Sequence, residues 1–427
     1  MSQRATRVAV LLALAALGGA CTGGEALSAE GCDLSLTLPT GFCARIYADR
    51  LGAPRHLVVA PWGDVFAALT ESDGHPGGLV ALRDTNSDGR ADLRRFVPGE
   101  GGTGIALRDS FLYAAGWTAV YRYRVSARAL GPRTPADTVL AGLPRSGHAA
   151  RSIAVDSAHT LFLNIGAPSN ACQLHDVRPG SPGRDPCPEL ESFGGIWRFD
   201  ARRLNQRQSH GVRVATGLRH VVALSLGPGD RGLYGVQHGR DQLDTNWPDR
   251  FTREDEEILA AEELFHIEEG ADYGWPYCFH STRAGRKVLS PEYGGDGRTV
   301  GRCASKREPV FAFPAHWAPN ALLFYRGSQF PPRYRGGAFI AFHGGWFRSP
   351  PRNGFNVVFL PWSGQGPARD FEVFADGFAG RRKHPREARH RPTGLAEGTD
   401  GAFYVSDDAG GRIWKITYHP EPARRPP

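Results

Sequence analysis

The densest run of potentially reactive side chains spans residues 232–248, GLYGVQHGRDQLDTNWP. Leu233-Tyr234-Gly235-Val236 reads as a short buried strand. Gln237, His238, Gly239, Arg240, Asp241, Gln242, Asp244 and Asn246 follow it with almost no apolar cover. Such a loop is poor core material and suits the mouth of a rigid scaffold, where functional groups concentrate. Three further clusters belong with it. Ser146-Gly147-His148-Ala149-Ala150-Arg151 puts a histidine in a glycine-flanked loop before the strand at 152–155. An imidazole there can act as a base near neutral pH, or it can hydrogen-bond a strand edge. Arg219-His220 precedes the apolar run 221–226. A guanidinium at that place can bind a carboxylate or polarise an oxygen, or make a surface ion pair. Arg389 and Arg391 flank His390 in an extended stretch, and side chains two apart share a face, which suits a clamp for a polyanion. Arg381, Arg382, Lys383 and Arg386 read as solvated loop charge.

Asp84-Thr85-Asn86-Ser87-Asp88-Gly89 with Asp92 has the oxygen spacing of a calcium loop, but Arg95 stands where an EF-hand carries its Glu. A polar hairpin turn is the expectation there. There is no GxSxG, Walker, dinucleotide or zinc-protease motif.

The elements that must position these groups are short strands. Gly 54 and Pro 32 among 427 residues, with Met 1, favour turns and argue against an α-rich chain. A unit recurs: a small residue, an apolar-aromatic strand, a polar exit. It occurs as Gly63-Asp64-Val65-Phe66, Ser110-Phe111-Leu112-Tyr113, Thr160-Leu161-Phe162-Leu163, Gly232-Leu233-Tyr234-Gly235, Gly337-Ala338-Phe339-Ile340 and Gly401-Ala402-Phe403-Tyr404. A second alternating strand follows most copies, and two of these are nearly identical, GIWRF at 195–199 and RIWKI at 412–416. Six such hairpins predict an all-β, six-bladed β-propeller with loop insertions; a large β-sandwich is the competing architecture. The longest gap, 251–307, predicts a large insertion. In it, 254–269 reads as an acidic helical or turn-rich stretch, and Gly274-Trp275-Pro276 as a rigid aromatic cap on the propeller or a wall of a sugar cleft.

At the N-terminus, Arg4 and Arg7 precede the apolar run 8–17 and then Gly18-Gly19-Ala20-Cys21, the layout of a secretory signal peptide. The run is shorter than the roughly 20 residues that span a bilayer. Cys21 matches the lipid-acceptor cysteine of lipoproteins, with Gly18 where that motif prefers Leu. The expected organisation is a signal peptide at 1–20, a linker at 21–37, the propeller at 38–420 and a tail at 421–427. Export to the periplasm or envelope follows, with a lipid anchor at Cys21 as an option. Cys32, Cys43, Cys172, Cys187, Cys278 and Cys303 remain, an even number in an exported chain, which predicts disulfides. Local pairing (32–43, 172–187, 278–303) is expected because each pair brackets one loop. Net charge +7 is mild and its basic residues are scattered, which argues against nucleic acid as a partner.

Taken together, these pieces resemble the glucose/sorbosone dehydrogenase family, whose soluble glucose dehydrogenases are six-bladed propellers using pyrroloquinoline quinone (PQQ) and calcium. The resemblance spans nearly the whole mature chain. It rests on Leu38-Pro39-x-Gly41-Phe42, Gly147-His148-x-x-Arg151-Ser152, Asn164-Ile165-Gly166, Gly195-Ile196-Trp197-Arg198-Phe199, Ala215-Thr216-Gly217-Leu218-Arg219, Gln237-His238-Gly239, residues 272–278 (DYGWPYC), and Arg391-Pro392-Thr393-Gly394 leading to Asp407-Asp408. By this resemblance His148 is the base that removes the substrate's hydroxyl proton while hydride passes to the quinone. Arg219 faces the quinone oxygens. His238 and Asp244 fall at cofactor-side positions, and Arg389 and Arg391 match an arginine pair facing the tricarboxylate. The carbonyls of Gly239 and Arg240 match the calcium ligands, hard donors suited to that ion. Four departures stand out: His220 for an Asn, Arg240 for a Pro, Ala167 for an Asp near the catalytic His, and only Arg348 in place of a cofactor lysine.

The implied function is PQQ- and calcium-dependent oxidation of an aldose or related sugar or polyol, with electrons passed to an external acceptor. Two alternatives are a non-catalytic envelope propeller that binds a glycan or protein, and a propeller lactonase. The lactonase needs a carboxylate-rich calcium site on the axis, where this sequence offers mostly His and Arg. The fold alone does not choose among them.

Overall fold

The computed structural model describes residues 31–145, 147–345, 354–364 and 366–420. The expected signal peptide, Cys21, the tail, Ser146 and Arg348 lie outside the described residues. The chain forms six antiparallel sheets around an axis. Blade 1 is Ala53–Val59, Val65–Thr70, Gly78–Arg83 and Leu93–Pro98. Blade 2 is Gly102–Arg108, Phe111–Gly116, Ala119–Arg124 and Asp137–Ala141. Blade 3 is Ile153–Val155, Thr160–Ile165, Gly195–Asp200 and Val212–Thr216. Blade 4 is Val221–Leu226, Leu233–Gln237, Glu262–Ile267 and Phe311–Phe313. Blade 5 is Pro319–Phe324, Ala338–Phe342, Asn356–Leu360 and Glu372–Ala375. Blade 6 is Pro392–Glu397, Phe403–Asp407, Arg412–Tyr418 and, from the other end of the chain, Phe42–Ala48.

That last pairing closes the ring. The early strand Phe42–Ala48 lies antiparallel on Arg412–Tyr418, so the first and last segments cover each other's edges and no blade is left half-built. The core lies between blades, where short strands stack apolar faces. Trp414, Phe339, Phe359 and Phe403 are fully buried in one such cluster, and Leu161, Leu163 and Ile165 in another. Trp414 also donates from Nε1 to Asp33 Oδ2 at 2.9 Å, which ties the start of the described chain to blade 6.

The six expected hairpins are the second and third strands of the six blades, and the three local disulfides are formed: Cys32–Cys43, Cys172–Cys187 and Cys278–Cys303. One expectation needs correction. Only Arg253–Ile258 of the acidic stretch is helical, capped by Thr252. Residues Glu262–Ile267 form the third strand of blade 4. Their carboxylates are buried because partners are supplied: Glu263 takes Gln237 Nε2 at 2.8 Å and the Lys287 ammonium. Local acidity misled because tertiary pairing, not helical solvation, satisfies these groups.

The chain after blade 4's third strand explains the insertion. It climbs alongside the outer strand of blade 3, pairing in parallel through Ala271–Asp272, and then builds the hairpin Cys278–Ser281 and Arg286–Leu289. Trp275 is buried against the Cys172–Cys187 bridge and donates from Nε1 to Asn170 O at 2.9 Å. It therefore caps the propeller. The Asp84–Asp92 loop is a polar turn: Asp92 Oδ2 accepts from Thr85 N and Oγ1, and Asp84 Oδ2 accepts from Gly89 N.

Candidate active site

In antiparallel blades, the connections from second to third strand and from one blade's outer strand to the next blade's inner strand emerge at the same end. His148, Arg219, His220, His238, Arg240, Arg389 and Arg391 lie in these connections.

His148 sits in the connection from blade 2 to blade 3. Gly147, just before it, has φ +52°, and a Cβ there would lie 2.1 Å from Pro168 O; only glycine lets the two loops meet so closely. The His148 backbone N–H and Nδ1 both point to Ala167 O, at 3.1 and 2.7 Å. A carbonyl only accepts, so Nδ1 carries the hydrogen and Nε2 holds a lone pair. Burial, and then the nearby Arg219 charge, push the His148 pKa down to about 3. The ring is a neutral base of fixed tautomer.

His220 lies 4.8 Å from the His148 ring and 5.0 Å from His238, measured between centroids. Burial and the flanking imidazoles hold its pKa well below the usual value. Its Nδ1 is buried without a hydrogen-bond partner among the described residues. His238 directs Nε2 to Pro319 O at 3.0 Å and Asn320 Oδ1 at 3.1 Å; burial and Arg219 lower its pKa to about 4.

Arg219 donates from Nη1 to Gly239 O at 2.7 Å and from Nη2 to Asp241 Oδ2 at 2.9 Å. Its backbone N–H is fixed by Gln237 Oε1 at 2.9 Å, and its Nε is a buried donor with no partner among the described residues. Burial alone would raise the Asp241 pKa, but the Arg219 charge and then His316 hold it well below the carboxylate range. Asp241 is also pinned through its backbone: Asn170 Nδ2 donates to Asp241 O at 2.7 Å, and Asp241 N donates back to Asn170 Oδ1 at 3.2 Å. Glu262 accepts from Gly239 N at 2.7 Å and Ala318 N at 2.9 Å, yet burial raises its pKa to about 7.

Across the mouth, Arg391 donates from Nε to His343 O at 3.0 Å and from Nη2 to Gly344 O at 2.7 Å. Burial lowers its pKa to about 10. His343 Nε2 meets Asp408 Oδ1 at 2.7 Å, and Arg55 pairs with the other oxygen of Asp408.

A cavity of about 650 Å³ opens between these walls, lined by His238, Gly239, Asp244, His316, His343 and Arg391 among others. That volume suits a small organic ligand. Of the expected site residues, His238, Gly239, Asp244 and Arg391 line this cavity. His148 and Arg219 are outside its lining and are linked to it, His148 through the His220 and His238 rings and Arg219 through Gly239 O and Asp241. Arg240 follows Gly239 in the chain, and its buried side chain is spent on Glu292, at 2.5 and 2.9 Å. Arg389 is exposed and outside the cavity lining. The period-two alternation does not reach it, because the blade strand starts at Pro392. Sequence reasoning missed His316, His343 and Arg55, which no local motif marks, and read Glu256 and Glu262 only as part of an acidic stretch.

The chain is 28% identical over 406 residues to an uncharacterised protein of Borreliella burgdorferi, covering 92% of this chain and 93% of that one. A pyrroloquinoline quinone-dependent pyranose dehydrogenase of Coprinopsis cinerea is 27% identical over 167 residues, which are 34% of this chain and 22% of that protein. The holo form of a pyranose dehydrogenase PQQ domain from the same fungus superposes with a TM-score of 0.71 at 18% identity, over 90% of this chain and 97% of that one. The iodide structure of a Trichoderma reesei carbohydrate-active enzyme of family AA12 gives 0.73 at 19% identity with the same coverage. The family model described as TrAA12-like matches residues 36–419, so nearly all of the described propeller is accounted for, and the chain belongs to the TrAA12-like family.

Proposed function

We propose that this propeller is a PQQ-dependent sugar dehydrogenase that oxidises an aldose or related sugar or polyol and passes the electrons to an external acceptor. The observation that carries the reading is His148. Its Nδ1–H is committed to Ala167 O, its Nε2 keeps a lone pair, and the Arg219 charge acts on the ring while Arg219 Nε is a donor without a partner among the described residues. Family membership and the likeness to PQQ-bearing domains support it.

The residues fit such a cofactor. A tricarboxylate needs cations and donors that are not already saturated. Arg391 makes its bonds to carbonyls and not to a carboxylate, Arg219 Nε and His220 Nδ1 are buried and unfilled, and three imidazoles are held uncharged. For calcium, the Gly239 and Arg240 carbonyls are hard oxygen donors. Gly239 O already takes Arg219 Nη1 and has a second lone pair to offer. When bound, PQQ would supply the oxidising centre that accepts hydride from the sugar carbon, with calcium held by those carbonyls to polarise it. His148 Nε2 takes the proton of the hydroxyl on that carbon; Ala167 O keeps the ring in the tautomer that can. Arg219 and Arg391 bind and orient the anionic ligand.

The three disulfides support an exported, oxidising location, and we place the protein in the periplasm or envelope. The test is reduction of an artificial electron-acceptor dye by the chain loaded with PQQ and calcium, over a panel of sugars. The expected result is sugar-dependent reduction that is lost in His148→Ala. Equal rates in His148→Ala would contradict the assignment of the base.

A further inference from the structure

His316 lies in the connection from blade 4 to blade 5, in the sequence Pro314-Ala315-His316-Trp317-Ala318. It lines the cavity, its side chain is buried, and its backbone is left-handed, with φ +63°. A non-glycine residue in that region is unusual, and such strain collects where surrounding structure fixes a functional group.

Both ring nitrogens face acceptors. Nδ1 lies 3.2 Å from Asp241 Oδ1 and Nε2 lies 2.6 Å from Glu256 O. A neutral imidazole donates from one nitrogen only, so the imidazolium is the one form that satisfies both contacts. His148 and His220, on the same face of the molecule, lack such an arrangement. Asp241 Oδ2 holds Arg219, so the chain of contacts runs from Arg219 through Asp241 and His316 to Glu256.

We propose that His316, as a cation, is a positioning residue: it holds Asp241 from the far side, keeps that carboxylate from neutralising Arg219 fully, and so sets the positive charge the cavity offers to an anionic ligand. The inference rests on the quinone reading of the cavity and assigns a residue to its control. The charged groups acting on His316 are Asp241 from the loop after blade 4's second strand, Glu256 from the helix Arg253–Ile258, and Glu262 from the third strand. Burial opposes its charge, but the hydrogen bond and charge of Asp241, followed by Glu256 and Glu262, raise its pKa. The added positive charge is therefore present at acid pH and lost as pH rises through that raised value.

The experiment is equilibrium binding of PQQ, with calcium in excess, to wild type and His316→Asn, read from quenching of tryptophan fluorescence between about pH 5.5 and 9. Asn tolerates the left-handed backbone. Thermal unfolding in the same buffers checks the fold, and His316→Gln is the second variant should Asn not fold. One charge at a distance of several ångströms in a partly buried site is worth roughly a factor of ten. The expected result is binding about tenfold weaker than wild type at low pH, with the gap closing as pH rises. A constant ratio at every pH would show a purely structural role and overturn the proposal, as would no difference at all. Absence of PQQ binding by the wild-type chain is a separate result that removes the quinone reading and this inference with it.

Discussion

His148 hangs from the connection between blades 2 and 3 and His316 from that between blades 4 and 5, at one end of the propeller, and they are set in opposite protonation states. His148 has a single carbonyl partner, on Nδ1, so it is neutral and keeps a lone pair on Nε2. His316 lies between a carboxylate and a carbonyl and is a cation. Desolvation opposes the charge of both rings, so it does not distinguish them. The difference is the number and charge of acceptors that each loop presents. A site can thus make a base of one histidine and a counter-charge of another without altering either side chain.

Four measurements would break or sharpen that contrast. The largest effect is expected at the base. His148→Ala should lower kcat by roughly 10²–10⁴-fold, the usual worth of a general base, while PQQ affinity stays near wild type; a loss of affinity with unchanged kcat would make His148 a ligand instead. Next, Gly166→Ala places a Cβ 2.5 Å from His148 O and 3.0 Å from His220 Nδ1. Shifting the neutral wall alone should cost about 10²-fold in kcat, since misplacement of that order weakens catalysis so strongly, and circular dichroism should show the fold intact. Third, Arg391→Ala should weaken PQQ binding by about 10–100-fold, the value of a charged hydrogen bond. Exposed Arg389→Ala should change it less than about twofold. Equal effects would restore the two-arginine clamp.

The smallest effect is on stability against pH. His148 and His238 have folded pKa values depressed to about 3 and 4. The unfolded chain binds protons there first, so these groups make the fold lose stability as pH falls below about 6.5. His316 has a raised folded pKa; its contribution is full below the unfolded value and is lost as pH rises through the folded one. In Tm profiles, His148→Asn should flatten the acid side and His316→Asn should flatten the neutral-to-alkaline side. Identical profiles for the two variants would contradict the opposed charge states.

Much of the fold was legible because strand hairpins carry local signals: a turn residue, an alternating apolar run, a polar exit. The GIWRF and RIWKI segments are equivalent third strands, and each disulfide joins cysteines flanking one loop. The closing strand Phe42–Ala48 was not legible as such, because its partner lies at the other end of the chain. Nor was Glu262–Ile267, whose acidic residues look solvated until Gln237 and Lys287 are placed beside Glu263. In the site, His148, Arg219 and His238 stood out because each sits among polar or glycine neighbours. His316 did not, since Pro, Ala and Trp around it read as core. Its role comes from Asp241 and Glu256, 75 and 60 positions away.

The central claim is that this mouth holds a quinone cofactor. Its most direct test is a titration of metal-stripped protein with PQQ in the presence of calcium, followed by absorbance. Saturation at about one equivalent per chain, weakened in Arg391→Ala, is the result predicted here. No binding at micromolar quinone would contradict the claim and favour a propeller that binds a glycan or protein without chemistry.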